Sequence, residues 1–174
     1  TRVFNVGELR RTRLGAGQHH EFFDPANRDA AEQRRRLAEQ ALDEALAFLR
    51  GEGRVAIYDA TNSTRERRRQ IQARAQAEDC DLLFVEIVNH DAAVIEANLR
   101  ETKLSSPDCA GVAEAEALQD FRARIAHYES AYETLEEDEG AWLRIVDRGR
   151  KVEIHEVYGW ITGRIVFFLT NLQV

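Results

Sequence analysis

Methionine is absent from the 174 residues, cysteine occurs only twice, and no apolar run approaches membrane-spanning length. Each scarcity closes off a class of protein. Cys80 and Cys109 form no CxxC pair and have no histidine at ligand spacing, so neither a disulfide framework nor a zinc site is indicated. The longest apolar run, Ile165 to Leu169, is too short to cross a bilayer, and no signal-peptide pattern opens the chain. No internal repeat or low-complexity linker interrupts a length that suits one domain with a substantial core. The formal net charge of -7 argues against a general nucleic-acid binder and sets aside an RNA-binding scaffold built on Arg67 to Arg69. The expected setting is a reducing cytoplasm, with no membrane and no nucleic acid as partner. Thr1 is not an initiator, Arg2 to Val6 opens strand-like without a cap, and Phe167 to Val174 is still apolar at its end. Both ends are expected to be cut from something longer.

What is present concentrates between Val55 and Arg69. A short apolar run, Val55 to Tyr58, stops at an acid, Asp59, and a polar turn, Ala60-Thr61-Asn62, follows. Ser63-Thr64-Arg65-Glu66 then has the form of a capping box, with Ser63 accepting from the Glu66 amide and the Glu66 carboxylate reaching back. A buried strand thus feeds a helix whose first turns carry Arg65, Arg67, Arg68 and Arg69. In open α/β sheets ligands bind at the carboxyl ends of strands, where helix N-termini offer amides to anions. The bland alternative is an Asp that only begins a turn. Thr61 and the arginines favour a small anionic ligand, with Asp59 a candidate for a metal.

The remaining pattern predicts alternating strands and helices, hence a mostly parallel sheet with helices on both faces. Val3 to Val6 is expected as a buried strand and Gly7 to His20 as a long loop. A turn at Phe22 to Pro25 leads to Asn27, which caps a helix over about Arg28 to Arg50 with Leu37, Ala41, Ala45, Phe48 and Leu49 on one side. A helix from Thr64 to Ala77 should face Ile71 and Ala75 inward. A second buried strand follows within Asp81 to Val88, then a helix from Asp91 to about Thr102 and a turn at Ser105 to Asp108. A long helix is expected over Ala113 to Leu135. Trp142 to Val146 and Lys151 to Val157 should form an antiparallel hairpin, before a closing helix over Tyr158 to Leu172.

Basic candidates lie at several of these junctions. Arg10 and Arg11 follow the first strand, Arg34 sits in the second turn of the first long helix, and Lys103 lies just past Asn98. Arg124 and Tyr128 are an i, i+4 pair, hence neighbours on their helix. Taken singly, each is more readily a solvated charge or a rim tyrosine. Together, beside a strand-end acid, they suit a phosphorylated ligand.

RVFNVGELRR (Arg2 to Arg11), the Phe22-Phe23 turn with Pro25 and Asn27, VAIYDATNSTRERR (Val55 to Arg68), NLRETKLSSPD (Asn98 to Asp108), DFRARIAHYE (Asp120 to Glu129) and GRIVFFLTNLQV (Gly163 to Val174) occur in this order. On these segments the chain resembles the kinase domain of the 6-phosphofructo-2-kinase/fructose-2,6-bisphosphatase family. The resemblance implies a P-loop nucleoside-triphosphate-hydrolase-like three-layer sandwich and transfer of the ATP γ-phosphoryl group to fructose 6-phosphate, giving fructose 2,6-bisphosphate. It implies that Arg10, Arg34, Thr61, Arg67, Arg124 and Tyr128 hold fructose 6-phosphate, and that Asp59 and Lys103 are catalytic, Asp59 near Mg²⁺ and Lys103 offsetting developing negative charge. Asn98, Leu99, Arg100, Glu101, Thr102 and Lys103 are implied in ATP binding, with Lys103 also reaching the sugar phosphate. The family's phosphate loop, GxxxxGK[ST], is expected upstream, because no glycine here precedes a lysine. A histidine phosphatase domain is expected after Val174, and a homodimer is left open. Three positions depart from the family pattern. Asn89 stands where a cysteine is common, Cys109 replaces the tyrosine after SSPD, and His155-Glu156 replaces Asn-Arg. Those departures keep a second reading in play, a catalytically impaired sugar-phosphate-binding regulatory module of the same fold.

Overall fold

The computed structural model describes residues 1–103 and 106–171, apart from the side chains of Thr102 and Lys103, and divides into two compact units. The first comprises residues 1–80 and 99–133, the second residues 81–98 and those from 134 onward.

In the first unit, β1 (Arg2–Asn5) pairs in parallel with β2 (Ala56–Asp59), so that Asn5 lies opposite Asp59. Between them run α1 (Val6–Leu14) and α2 (Arg28–Arg50). Asn27 caps α2 by accepting from the Ala30 amide at 3.1 Å, which satisfies one of the donors a helix start leaves open. Leu37, Ala41 and Ala45 repeat at four, and Leu42 and Leu46 widen the stripe; all five are buried. Each buried leucine contributes about 1.5–3 kcal/mol relative to exposure. Gly53 ends the segment because a Cβ there would lie 2.5 Å from the Phe48 ring. Helix α3 (Arg65–Ala77) buries Ile71 and Ala75, and α5 (Glu114–Ser130) buries Ala117, Leu118 and Phe121.

In the second unit, β3 (Phe84–Val88) pairs in parallel with β4 (Trp142–Val146), which pairs antiparallel with β5 (Lys151–His155). The register puts Glu86, Arg144 and Glu153 on one rung, and the Arg144 guanidinium bonds both carboxylates, at 2.5 and 2.9 Å. At the other end of β4 the Trp142 ring stacks on His155, with centroids 5.3 Å apart. Helices α4 (Ala92–Asn98) and α6 (Trp160–Thr170) complete the unit, and Asp91 caps α4 by accepting from the Ala93 amide at 2.9 Å.

Several expectations need correction. Residues 7–14 are helical rather than loop: Asn5 accepts from the Glu8 amide at 2.7 Å and starts α1 directly from the strand. The strands form two small sheets among the described residues, and β2 and β3 alternate in exposure rather than burying both faces. Val3, Ile57, Val85 and Ile87 are all 44 % or more exposed. Helix α5 stops at Ser130, because the chain turns there to bond the Glu133 amide to the Ser63 carbonyl at 2.8 Å. Helix α4 ends at Asn98 and gives way to a π-turn over Leu99–Lys103. Leu104, Ser105 and Leu172 to Val174 fall outside the described residues.

Candidate functional site

The carboxyl end of β2 brings Asp59 beside Asn5, whose side-chain amide donates to the Asp59 carboxylate. One asparagine therefore starts α1 and fixes the orientation of an exposed acid. The turn beyond it needs a left-handed residue, and Asn62 supplies it with φ 43°. The cap of α3 is Thr64, one residue later than expected: its hydroxyl accepts from the Arg67 amide at 3.3 Å. Glu133 explains the shift, since its carboxylate takes the Arg65 amide at 2.6 Å. Glu66 accepts from Gln70 at 3.0 Å instead of reaching back. Buried Arg68 donates to the carbonyls of Asn62 (3.3 Å) and Glu133 (2.8 Å), clamping the turn to the end of α5. Arg67 faces the other way and donates to the Tyr58 hydroxyl, which donates in turn to the Ala38 carbonyl at 2.9 Å.

A second cluster gathers guanidinium groups from three helices. Arg10 of α1 is buried, with Nη2 2.5 Å from Asp108 Oδ2. Arg124 of α5 is equally buried; Asp120, one turn earlier, takes its Nε and Nη2, both at 2.6 Å, and Nη2 also donates to the Gln18 carbonyl. The Phe23 ring lies under both, 5.6 Å from the Arg10 guanidinium carbon and 4.4 Å from that of Arg124. Arg34 of α2 donates to the Phe22 carbonyl and, at 3.4 Å, to that of Asp24. Burial holds the Arg34 guanidinium below its ordinary value, although Tyr128 and Asp24 oppose the shift. Burial also pushes the Tyr128 phenol up, outweighing Arg34, Arg124 and Arg10, so at neutral pH it is a neutral donor.

These two clusters line one cavity of about 880 Å³ within the first unit. Arg10, Arg34, Arg67 and Arg124 all reach its wall, together with Asp59, Thr61 and Tyr128. Two polar atoms there, Arg10 Nη1 and Asn62 Oδ1, are buried without a hydrogen-bond partner. Such orphans are uncommon in native proteins and mark places where a ligand or water completes the set. Of the stretch expected to hold nucleotide, Leu99 lines the cavity, whereas Arg100 pairs with Glu114 at 2.5 Å and Glu101 is exposed. Asn98 ends α4 in the second unit. The side chains of Thr102 and Lys103 fall outside the described residues, so nothing here positions the Lys103 ammonium.

Sequence reasoning gave no site role to four residues that line or brace the wall: Asp108 and Phe23, which line it, and Asp120 and Arg68, which hold Arg124 and the Asn62 turn. Two of them left a trace. Asp120 stands four before Arg124, the spacing of a helical ion pair, and Arg68 falls three and seven before the buried Ile71 and Ala75. Asp108 left none, because its hydrogen-bond partners Arg10 and Gly17 stand 98 and 91 positions away.

Mg²⁺ commonly takes one or two carboxylates and keeps several waters, so Asp59 alone is compatible with it. Among the described residues no group of three or more His, Cys, Asp or Glu could hold a metal ion. The backbone cradle that ATP phosphates require does not come from these residues, since no glycine precedes a lysine. Burial raises the Cys109 thiol, which disfavours its thiolate. No described helix is long and apolar enough to cross a membrane.

A family model described as 6-phosphofructo-2-kinase matches residues 1–174. The chain is 42% identical over 178 residues to a 6-phosphofructo-2-kinase/fructose-2,6-bisphosphatase of Gallus gallus, covering all of this chain and 38% of that protein. A Caenorhabditis elegans protein of the same name is 38% identical, with 40% of its length covered. One from Arabidopsis thaliana is 37% identical, with 24% covered. The chain thus spans about two fifths or less of these relatives.

Proposed function

The chain belongs to the 6-phosphofructo-2-kinase family, and from that premise we propose that it forms the sugar-binding part of an enzyme that phosphorylates the 2-hydroxyl of fructose 6-phosphate. One observation carries the reading: four arginines, a phenol, a threonine and a strand-end carboxylate, drawn from separate stretches of chain, line a single cavity. Its volume falls in the ordinary range for small-molecule sites. Arginine forks grip a phosphate bidentately, and half-buried Asp120 holds the Arg124 guanidinium in place for this. Tyr128 and Thr61 add neutral donors for sugar hydroxyls. Asp59 is the acceptor for the proton that the 2-hydroxyl gives up as its oxygen becomes the nucleophile. Phosphoryl transfer depends chiefly on positioning and charge neutralisation, which is what this wall offers. ATP would supply the phosphoryl group and Mg²⁺ would offset its charge, with Asn98 to Lys103 on the nucleotide side.

The same reading places the chain in a three-layer P-loop sandwich with a C-terminal hairpin, as part of a cytoplasmic protein. It includes a histidine phosphatase domain and a phosphate loop elsewhere in that protein, with self-association into a dimer left to measurement. The test uses the full-length protein with ATP and Mg²⁺. Asp59→Asn is expected to lower fructose 2,6-bisphosphate formation roughly 100- to 10,000-fold while fructose 6-phosphate affinity changes little. A wild-type protein that makes no product, or an Asp59→Asn variant with full activity, refutes the kinase reading. Glu156, an acid where the family carries arginine, favours the alternative of a sugar-phosphate-binding regulatory module. Binding of fructose 6-phosphate without turnover would identify that module.

A further inference from the structure

We infer that Asp108 is a positioning residue of the sugar-phosphate cavity, holding the arginines that meet the phosphate without touching the ligand's phosphate itself. The inference rests on the functional reading above and names a residue that the reading does not use.

An acid is an odd occupant of an anion site. It repels the ligand, and a carboxylate whose side chain is only 5% exposed has itself lost most of its hydration. The contacts of Asp108 account for it. It sits in a short turn, Pro107–Cys109, started by Ser106, whose hydroxyl accepts from the Asp108 amide at 3.3 Å. Oδ2 takes Arg10 Nη2 at 2.5 Å and lies 3.8 Å from Arg11 Nη1 and 4.0 Å from Arg124 Nη1. Oδ1 accepts from the Gly17 amide at 3.2 Å. One carboxylate therefore gathers guanidinium groups from α1 and α5 and ties down the backbone between α1 and Phe23.

The consequence shows on Arg10. Its Nη2 edge is committed to Asp108, while Nη1 is buried without a hydrogen-bond partner in a residue that lines the cavity. A guanidinium held by one nitrogen and left open at the other is already oriented, so a bound phosphate does not bear the entropy of ordering it. Without the carboxylate, three like charges of this cluster would repel one another and spread. Asp108 thus loses some direct attraction for the anion and gains geometry.

Asparagine is a discriminating replacement. Both Asp108 oxygens accept, so an amide of equal size must present a donor either to Arg10 or to the Gly17 amide. In the full-length protein Asp108→Asn is expected to raise the KM for fructose 6-phosphate about 10- to 100-fold, with kcat held within about threefold. On an Arg10→Ala background the same change should have a clearly smaller effect than in the wild type, because its shortest contact, with Arg10, is already gone. Calorimetry with fructose 6-phosphate should show the same loss of affinity. An unchanged KM, a fall in kcat at constant KM, or full additivity with Arg10→Ala overturns the inference. If Asp108→Asn does not fold, Asp108→Glu is measured in its place against the same criteria, its longer side chain displacing the Arg10 contact. Should the wild type bind no fructose 6-phosphate, the functional reading falls and this inference with it. Should the wild type bind while Asp108→Asn binds equally well, the inference alone falls.

Discussion

Arg10 in the first unit and Arg144 in the second are both withdrawn from water and both bonded to carboxylates, yet they have opposite meanings. The Arg144 guanidinium is used up: Nε meets Glu86, Nη1 meets Glu153, and Nη2 meets Thr134 and the Leu135 carbonyl. Its acids stand on the flanking strands in register, so the group completes a sheet and offers nothing to a ligand. Arg10 stops short of completion. One nitrogen is anchored, and another is buried with no hydrogen-bond partner. Burial and ion pairing alone therefore do not separate a structural arginine from a binding one. Residual hydrogen-bonding capacity does, because an unmet buried donor costs free energy that only a ligand or water recovers.

Substitutions at the two sites should separate along that line. Arg144→Ala leaves Glu86, whose side chain is 9% exposed, without its cation and is expected to cost about 3–5 kcal/mol in a denaturant titration. Fructose 6-phosphate affinity should hardly move. Arg10→Ala should do the reverse. Asp108 keeps the Gly17 amide and the guanidinium groups of Arg11 and Arg124 near it, so the stability cost should be about 1–2 kcal/mol. Sugar-phosphate affinity, measured calorimetrically, should fall about 10- to 100-fold. If Arg144→Ala weakened binding while Arg10→Ala only destabilised, the distinction would be inverted and the assignment of the cavity would go with it.

How much of this was legible beforehand follows the same division. Periodicity located α2, its Asn27 cap, the inward face of α3 and, on α2, Leu37, Ala41 and Ala45, because apolar burial repeats locally; Phe48 and Leu49 are only half-buried, and the buried Leu42 and Leu46 went unnamed. It missed α1, whose apolar residues Val6, Leu9 and Leu14 form no buried stripe. The one residue α1 buries is Arg10, made tolerable by an acid 98 positions away. The cap of α3 slipped from Ser63 to Thr64 because Glu133, from the end of α5, supplied an acceptor no local motif could announce. Leu135 and Tyr132 continued the pattern of α5 beyond its true end for a related reason, the tie between Glu133 and Ser63. Family resemblance named the arginines of the wall. It was silent on Asp108, Asp120 and Phe23, which hold them, since such supports are defined by contact and not by spacing.

The smallest effect lies in alkali, and it distinguishes the units by their phenols. Tyr58 and Tyr128, both beside the cavity, have pKa values raised above the ordinary 10, with burial outweighing the lowering by neighbouring arginines. A folded-state pKa above the unfolded one means that folding favours the neutral phenol. That contribution is complete below about pH 10 and is lost as pH rises through the elevated folded values. The Glu86–Arg144–Glu153 rung contains no phenol, and the raised pKa of Arg144 keeps its guanidinium charged through this range. Both tryptophans, Trp142 and Trp160, belong to the second unit, so their emission reports it, while phenolate absorbance reports chiefly the first. On raising the pH, the part of the phenolate signal that Tyr58→Phe and Tyr128→Phe remove should appear late, accompanied by loss of helical signal and preceding any shift in tryptophan emission. Tyr128→Phe should move that loss to higher pH, since a phenyl ring has no proton to lose. If the signal removed by Tyr58→Phe and Tyr128→Phe appeared at the ordinary phenol value, the cavity wall would be no more desolvated than the rest of the surface.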